Sequence, residues 1–538
     1  MKFRNLLLLS LFSSMLLLLS CQINRGKKKE IIAEYSEPYR PLIHFSPPSK
    51  WMNDPNGLVF FEGEYHLFYQ YYPESMIWGP MHWGHAVSTD LVHWQHLPIA
   101  LYPDSLGYIF SGSALVDYNN TSGLGKPDKP AMIAIFCYHS PVLEKAGKDT
   151  FQTQGMAYSL DKGRTWTKYA GNPIVPNPGL RDFRDPKVSW NAETNKWIMA
   201  LAAGNCIQFY SSTDLKKWAF ESEFGKNLGA HGGVWECPDL IKMAVNNSKK
   251  ESKWVLLVSM NPGGPNGGSA TQYFTGNFDG HHFMSDNEKT RWIDYGKDNY
   301  AGVTFSGIPE NDGRCISIGW MSNWQYATSV PTKPWRSAMT FPRQLNLEKG
   351  RDEYNIISNP IDEIEQLRER KITLNPFIAS GNIDLTKEVP FGLSPIEIIA
   401  DFSLPQTGFA NEFGFELTNS KGENIIVGYS NQTNKFKIDR LNSGKNDFSK
   451  DFSGIQYSGE LKPEKIISMH IIIDLASIEL FGQSGRVAMT DIFFPNEVFN
   501  CLRAYCKGGS VKCDRVTIYK LNNIWDSIIN KQKSGIPE

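Results

Sequence analysis

The chain has 538 residues, 41% hydrophobic and 21% charged, the balance of a soluble globular protein rather than a disordered or fibrous one. Its 55 basic and 56 acidic side chains leave a net charge of −1, which excludes a broad basic field for nucleic acid. Aromatic residues reach 13%, and without a basic bias such flat faces suit sugar rings better than bases.

The first 21 residues read as a targeting segment. Lys2 and Arg4 form a basic head, an apolar run follows over 6–19, and Ser20-Cys21 closes it. The run is short for a permanent membrane helix and sits where a signal peptide sits. Leu18-Leu19-Ser20-Cys21 resembles a bacterial lipobox, which implies that Cys21 is lipidated and becomes the mature N-terminus. The alternative is an ordinary signal peptide with an incidental cysteine. Residues 22–40, polar and Lys-rich around Lys27–Lys29, are expected to be a tether. The expectation is a membrane-anchored protein facing away from the cytoplasm. The periplasmic side is favoured, because Lys27–Lys29 lacks the acidic residues that follow the cysteine of some surface-exported lipoproteins.

Residues 41–350 read as short strands. Segments 58–61 and 65–69 flank Glu62-Gly63-Glu64 as a hairpin. Similar runs recur at 131–138, 197–203, 254–259 and 315–321, and long 3.6-period stripes are absent, so the region is all-β. Ser88-Thr89-Asp90-Leu91-Val92-His93-Trp94 is echoed by Ser212-Thr213-Asp214-Leu215-Lys216-Lys217-Trp218 and, one residue longer, by the segment from Ser159 to Trp166. Asn277-Phe278-Asp279-Gly280-His281-His282-Phe283 is a degenerate fourth copy. A recurring polar turn closed by an aromatic points to propeller blades, with an irregular sandwich as the alternative. The connector, 351–372, contains the single convincing helix, around 360–368. A β-sandwich is expected over 373–522, with strands at 397–402, 413–417, 425–429, 469–474, 477–481 and 516–519, followed by a tail over 523–538. The seven cysteines beyond Cys21 are odd in number and sparse, so buried thiols are expected, although Cys501, Cys506 and Cys513 lie close enough in sequence for one bridge. No metal or other cofactor is expected.

Three segments carry chemistry. Trp51-Met52-Asn53-Asp54-Pro55-Asn56-Gly57 surrounds a carboxylate with amides directly before a predicted strand; alone, it is also a good turn signal. Arg184-Asp185-Pro186 sets a second carboxylate beside an arginine, which keeps it ionised by a pair or by proximity. Trp235-Glu236-Cys237-Pro238 holds a glutamate against an indole, and such an apolar wall raises a carboxyl pKa as a general acid requires. Cys237, with no histidine to form a Cys–His pair, reads as packing. Trp94, Trp166 and Trp218 read as core, His281-His282 as solvated, and the Gly-rich run over 261–268 as a surface loop.

Together these segments resemble glycoside hydrolase family 32, the β-fructosidases. Phe68-Tyr69-Gln70-Tyr71, Trp78-Gly79, Trp83-Gly84, Phe110-Ser111-Gly112-Ser113, Gly319-Trp320-Met321 and Ile478-Glu479-Leu480-Phe481 extend the likeness from His44 to Tyr519. The resemblance implies a five-bladed propeller with a central site, then a sandwich. It implies Asp54 as nucleophile, Glu236 as general acid/base and Asp185 as transition-state stabiliser. It further implies a sugar pocket lined by Trp51, Met52, Asn53, Gln70, Trp78, Phe110, Ser111, Arg184 and Trp320. A nucleophile and an acid roughly 5–5.5 Å apart would give double displacement with retention. Tyr72 replaces the asparagine common in the family, and Ser75-Met76-Ile77 is unusually apolar, so the rim departs from the pattern. The expected activity is exo-hydrolysis of terminal fructose from levan, inulin or sucrose. Fructosyl transfer, endo cleavage and a non-catalytic sugar-binding lipoprotein are the alternatives.

Overall fold

The computed structural model describes residues 35–248, 250–351, 353–404, 410–526 and 529. The targeting segment, Cys21 and residues 22–34 lie outside the described residues.

Five antiparallel sheets radiate from a ring of five inner strands: Lys50–Phe61, Tyr108–Asp117, Phe183–Asn191, Val234–Ala244 and Tyr300–Thr304. Each inner strand contacts the next, and the fifth contacts the first. The ring is latched where Lys50 and Trp51 pair in parallel with Trp335 and Arg336. This is the propeller that the repeat predicts. The repeated Ser-x-Asp segments join the third and fourth strands of blades one to three. Ser88, Ser159 and Ser212 each end a third strand and donate to Asp90, Asp161 and Asp214 at 3.0, 2.7 and 3.2 Å. Those carboxylates in turn accept from backbone N–H groups of the turn. Blade four keeps only Asp279, bonded to the His281 and His282 N–H groups. Blade five has no copy, so four blades were legible from the repeat.

Blades stack face to face, which explains the uninterrupted apolar strands. In Ala131–His139, Ile133 and Ile135 join a cluster with Val188, Met199 and Leu201 of blade three. Met132, Ala134 and Phe136 face Val59, Phe68 and Trp83 of blade one. Alternate side chains point to opposite faces of a strand, so a sheet buried on both faces needs both sets apolar.

The second unit of the fold is a sandwich of a seven-stranded and a six-stranded sheet. Ile396, Ile398, Ala400 and Phe402 of one sheet meet Phe413, Phe415 and Leu417 of the other in a single core. The boundaries differ from expectation. Tyr354–Pro360 pairs with Arg343–Lys349 as the outer strand of blade five, and Arg368–Leu374 already belongs to the sandwich. Only residues 361–367 connect them, and the expected helix is a 3₁₀ turn at Asp362–Leu367. An unforeseen α-helix, Pro141–Lys145, starts at a Ser140 cap followed by proline, a signal that was readable. Residues 35–40 are not tether, and the first residues after 522 are not tail. Tyr35 stacks on Trp525 at 4.4 Å, and the buried Trp525 indole donates to the Pro41 carbonyl at 2.9 Å. Arg40 is fully buried and pairs with Glu37. Asn266, in the Gly-rich loop, bonds the backbone of Tyr457 in the sandwich at 2.9 Å, so that loop is a junction contact. The seven described cysteines are free thiols, which removes the bridge considered for Cys501, Cys506 and Cys513.

Candidate active site

Every inner strand breaks its ladder in the same way. Two residues oppose one at Asn53-Asp54, Phe110-Ser111, Asp185-Pro186, Cys237-Pro238 and Ala301-Gly302. Such bulges bend a strand and re-aim its side chains. Proline, which has no N–H to donate, fits where a ladder bond is lost, as at Pro186 and Pro238. Asp185, Cys237 and Ala301 accordingly adopt left-handed backbone, with φ of 62°, 45° and 53°. The Trp51–Gly57 motif therefore lies inside the first inner strand, not before it. Gly57 has φ 53°, and a Cβ there would meet Phe68 at 2.8 Å and Trp83 at 2.9 Å.

The bulges bring the three candidate carboxylates together. Asp54 accepts from the Ser111 hydroxyl at 2.7 Å and from the Asn53 amide at 3.0 Å. The Trp51 indole donates to the Asn53 carbonyl oxygen at 2.7 Å, which fixes the amide so that its nitrogen faces Asp54. Burial raises the Asp54 carboxyl and the Glu236 charge adds to this, while Ser111 and Asn53 oppose it. Burial likewise lifts Asp185 to about 7; Arg184 works against the rise, and Glu236 and Asp54 reinforce it. Asp185 accepts from the Cys237 N–H at 3.1 Å. Glu236 accepts from the Arg184 fork at 3.0 and 3.3 Å and from the Tyr300 hydroxyl.

Two expectations are corrected and one is narrowed. Trp235 does not wall Glu236, because neighbours on a strand face opposite ways; its ring stacks on His231 at 5.0 Å, and Glu236 meets a guanidinium and a phenol. Of the two routes expected for Arg184 to act on Asp185, the charge-assisted pair is not formed, since the fork goes to Glu236 and, at 2.6 Å, to Asp182, and proximity remains: Nε stands 4.0 Å from Asp185 and opposes the rise of that carboxyl. Cys237 is not mere packing, since its sulfur lies 3.7 Å from Asp54 Oδ2 and 3.6 Å from Asp185 Oδ2, touching both carboxylates.

The other expected lining residues separate into two groups. Ser111 and Asn53 contact Asp54 directly. Trp78, 38% exposed, stands at the rim with its ring edge-on to Phe110 at 5.8 Å, and Phe110 stacks on His139. Trp51, Met52 and Trp320 are each 0% exposed and offer no surface to a sugar; they back the site. Trp320 packs on Trp324 at 4.9 Å and on Trp51 at 6.2 Å. Gln70 is also buried, its amide nitrogen bonded to Asn56 at 2.7 Å and to the Ile109 carbonyl at 3.1 Å, tying blade one to blade two. Tyr300 and Asp182 were missed. Asp182 was two residues from a named arginine, whereas Tyr300 sits in blade five, where no repeat marks the inner strand.

The family profiles of glycosyl hydrolases family 32 match this chain twice, the N-terminal domain over residues 44–360 and the C-terminal domain over 363–520. A levanase of Bacillus subtilis (strain 168) is 46% identical over 499 residues, covering 91% of this chain and 72% of that protein. The crystal structure of exo-inulinase from Aspergillus awamori superposes with a TM-score of 0.83 at 36% identity, covering 91% of this chain and all (100%) of that one. A fructofuranosidase from Schwanniomyces occidentalis complexed with fructose gives 0.82 at 34%, covering 92% and 100%. With both domains matched in order and the propeller-plus-sandwich architecture shared, the chain belongs to glycoside hydrolase family 32.

Proposed function

We propose that this protein is a retaining, exo-acting β-fructosidase that removes terminal β-D-fructofuranosyl units from fructans and sucrose. The observation that carries the reading is the convergence of Asp54 and Asp185, on bulges of two inner strands, with Glu236, beside the bulge of a third, and with the Arg184 guanidinium among them. Levanase, exo-inulinase and fructofuranosidase relatives support the substrate class.

In this mechanism an Asp54 oxygen attacks the anomeric C2 while Glu236 gives its proton to the departing glycosidic oxygen. A fructosyl ester forms on Asp54 and the C2–O bond breaks. Glu236, now ionised, takes a proton from water, whose oxygen attacks C2 and releases fructose and free Asp54. Oxocarbenium-like charge at C2 is stabilised by the nearby carboxylates, and Asp185 binds ring hydroxyls. Burial raises both the Asp54 and the Asp185 carboxyl, and the Ser111 and Asn53 bonds to Asp54 work against that rise and favour the ionised nucleophile. Arg184 and Tyr300 hold Glu236 in place.

Early digestion of a long fructan tests the mode. Free fructose as the sole first product is expected, and a ladder of short oligosaccharides would mean endo cleavage. Products longer than the substrate would mean transfer. The lipobox-like Leu18–Cys21 supports a second element of the reading, a lipid anchor at Cys21 that holds the enzyme on the periplasmic side of a membrane. Cys21→Ala is expected to move the activity to the soluble fraction; wild-type protein that is already soluble would sink the anchor.

A further inference from the structure

Asp182 is not one of the reacting groups, yet it holds the cation that holds Glu236. It directly precedes the third inner strand, Phe183–Asn191. Residues two apart along an extended chain face the same way, so Asp182 shares a side with Arg184, while Phe183 between them is buried in the core of blades two and three. The backbone here is fixed. Gln152 and Gln154 bond the Phe183 N–H and carbonyl, each at 2.9 Å. The Asp182 carbonyl accepts the Gly204 N–H at 2.6 Å, and the Gly204 carbonyl accepts the N–H of Trp235, next to Glu236, at 3.0 Å.

A side-chain tie runs beside that backbone tie. Asp182, partly exposed, accepts from Arg184 Nη1 at 2.6 Å, the shortest of the bonds this guanidinium makes to carboxylates. The other edge of the fork, Nε and Nη2, reaches a single oxygen of Glu236, Oε1, at 3.3 and 3.0 Å, and the Tyr300 hydroxyl donates to Oε2. A guanidinium is a rigid planar fork, so fixing one arm fixes the direction of the others. Asp185 competes for that fork, because its Oδ2 is 4.0 Å from Nε, and a small turn would exchange Glu236 for Asp185. Among the described residues, Asp182 is the sole partner of Nη1.

We infer that Asp182 is a positioning residue for the general acid: it clamps one arm of Arg184, so that the fork aims Glu236 at the departing glycosidic oxygen instead of turning to Asp185. The inference rests on the β-fructosidase reading above. Asp182 itself touches no reacting atom. Its loss should weaken what Glu236 supplies, the proton for the leaving group, and spare the attack by Asp54.

The test compares sucrose with β-D-fructofuranosyl fluoride on the full-length enzyme, through kcat/KM, which reports the steps up to departure of the leaving group. Fluoride departs with little protonation. Asp182→Ala is expected to lower kcat/KM on sucrose roughly 5- to 30-fold, a part of what general acid catalysis is worth, and on the fluoride less than about 2-fold. Asp182→Asn keeps an oxygen that accepts from Nη1 and should recover most of the loss. The ratio of the two losses does not depend on the folded fraction, so partial unfolding cannot mimic the result. If Asp182→Ala does not fold at all, Asp182→Ser is read by the same ratio. Equal losses on both substrates, no loss on either, or an Asn variant no better than Ala would each overturn the inference. Unmodified enzyme that releases no fructose from sucrose or fructans would instead sink the β-fructosidase reading.

Discussion

Two buried carboxylate clusters in this molecule have opposite character. At the propeller–sandwich junction, Asp294 and Glu479 share Arg343, with Asp294 2.7 Å from its Nη1. Glu479 also meets His44 at 2.9 Å, and Asp298 lies 2.6 Å from Arg440. Asp294 and Asp298 take further bonds from Thr490 and Tyr326 at 2.7 and 2.6 Å. In the active site Asp54 has no cation partner among the described residues, and Arg184 is divided between Glu236 and Asp182. Asp185 and Glu479 are both buried, yet burial lifts Asp185 to about 7, while at Glu479 it is overcome by Arg343 and His44, which bring that carboxyl down to about 2. Asp491 obeys the same rule inside the junction. Its nearest guanidinium nitrogen is 3.8 Å away, and burial pushes it up to about 7. Close cations per carboxylate decide whether burial pushes such an acid up or a guanidinium holds it down.

The comparison is broken most sharply at Asp54. Asp54→Asn removes the nucleophile and should lower kcat by roughly 10⁴-fold or more, because such groups act as a unit. A folded variant retaining a tenth of wild-type activity would place the nucleophile elsewhere. Glu236→Gln should cost about 10²- to 10⁴-fold on natural sugars. With a good leaving group, which needs little protonation, the loss should be much smaller; equal losses on both would leave Glu236 a positional role only. At the junction the corresponding lesion should strike stability instead. His44→Leu leaves Asp474 and Glu479 facing an apolar group and should cost about 3–5 kcal/mol in denaturant unfolding, with kcat per folded molecule preserved. A variant that lost turnover but not stability would erase the distinction between the clusters.

How much of this was readable without coordinates follows from the range of each interaction. The hairpins and the all-buried strand Ala131–His139 were legible because a local pattern of β-rich residues and turns specifies them. The blades were legible through the Ser-x-Asp turns, which close by bonds between residues two to four apart. Asp54, Asp185 and Glu236 were legible as motifs. Their partners were not: Arg184 and Glu236 are 52 residues apart and Tyr300 and Glu236 are 64 apart, and only the ring of bulges brings them together. Reading Trp235 as the neighbour of Glu236 failed because adjacency along a strand is separation across it. The junction pairs, such as His44 with Glu479 across 435 positions, lay beyond any local signal.

The smallest expected effect is a slope in stability with pH, and it separates two kinds of buried histidine. Burial opposes charge on His44, but Asp474 and Glu479, at 2.8 and 2.9 Å, raise it to about 9. A histidine that is more basic when folded stabilises fully below its unfolded value near 6.5, and that contribution fades as pH climbs toward about 9. His66 and His96 behave in the opposite sense. Burial lowers them to about 4 and about 3, and the neighbouring Arg164 and Arg40 push the same way, with Glu64 opposing only at His66. Their stability is present above about 6.5 and is lost as pH falls through the folded values, because the unfolded chain binds the proton first. Each titrating proton changes stability by at most about 1.4 kcal/mol per pH unit, so a shallow maximum near pH 6–7 is expected. His96 is enclosed by Tyr35, Phe45 and Trp525, and neither ring nitrogen has a hydrogen-bond partner among the described residues, so His96→Phe should flatten part of the acid limb without loss of packing. His44→Gln should flatten the alkaline limb while lowering the maximum. Unfolding midpoints measured from pH 4 to 9.5 on the three proteins decide it, and an acid limb unchanged in His96→Phe would show that the buried imidazole is not its source.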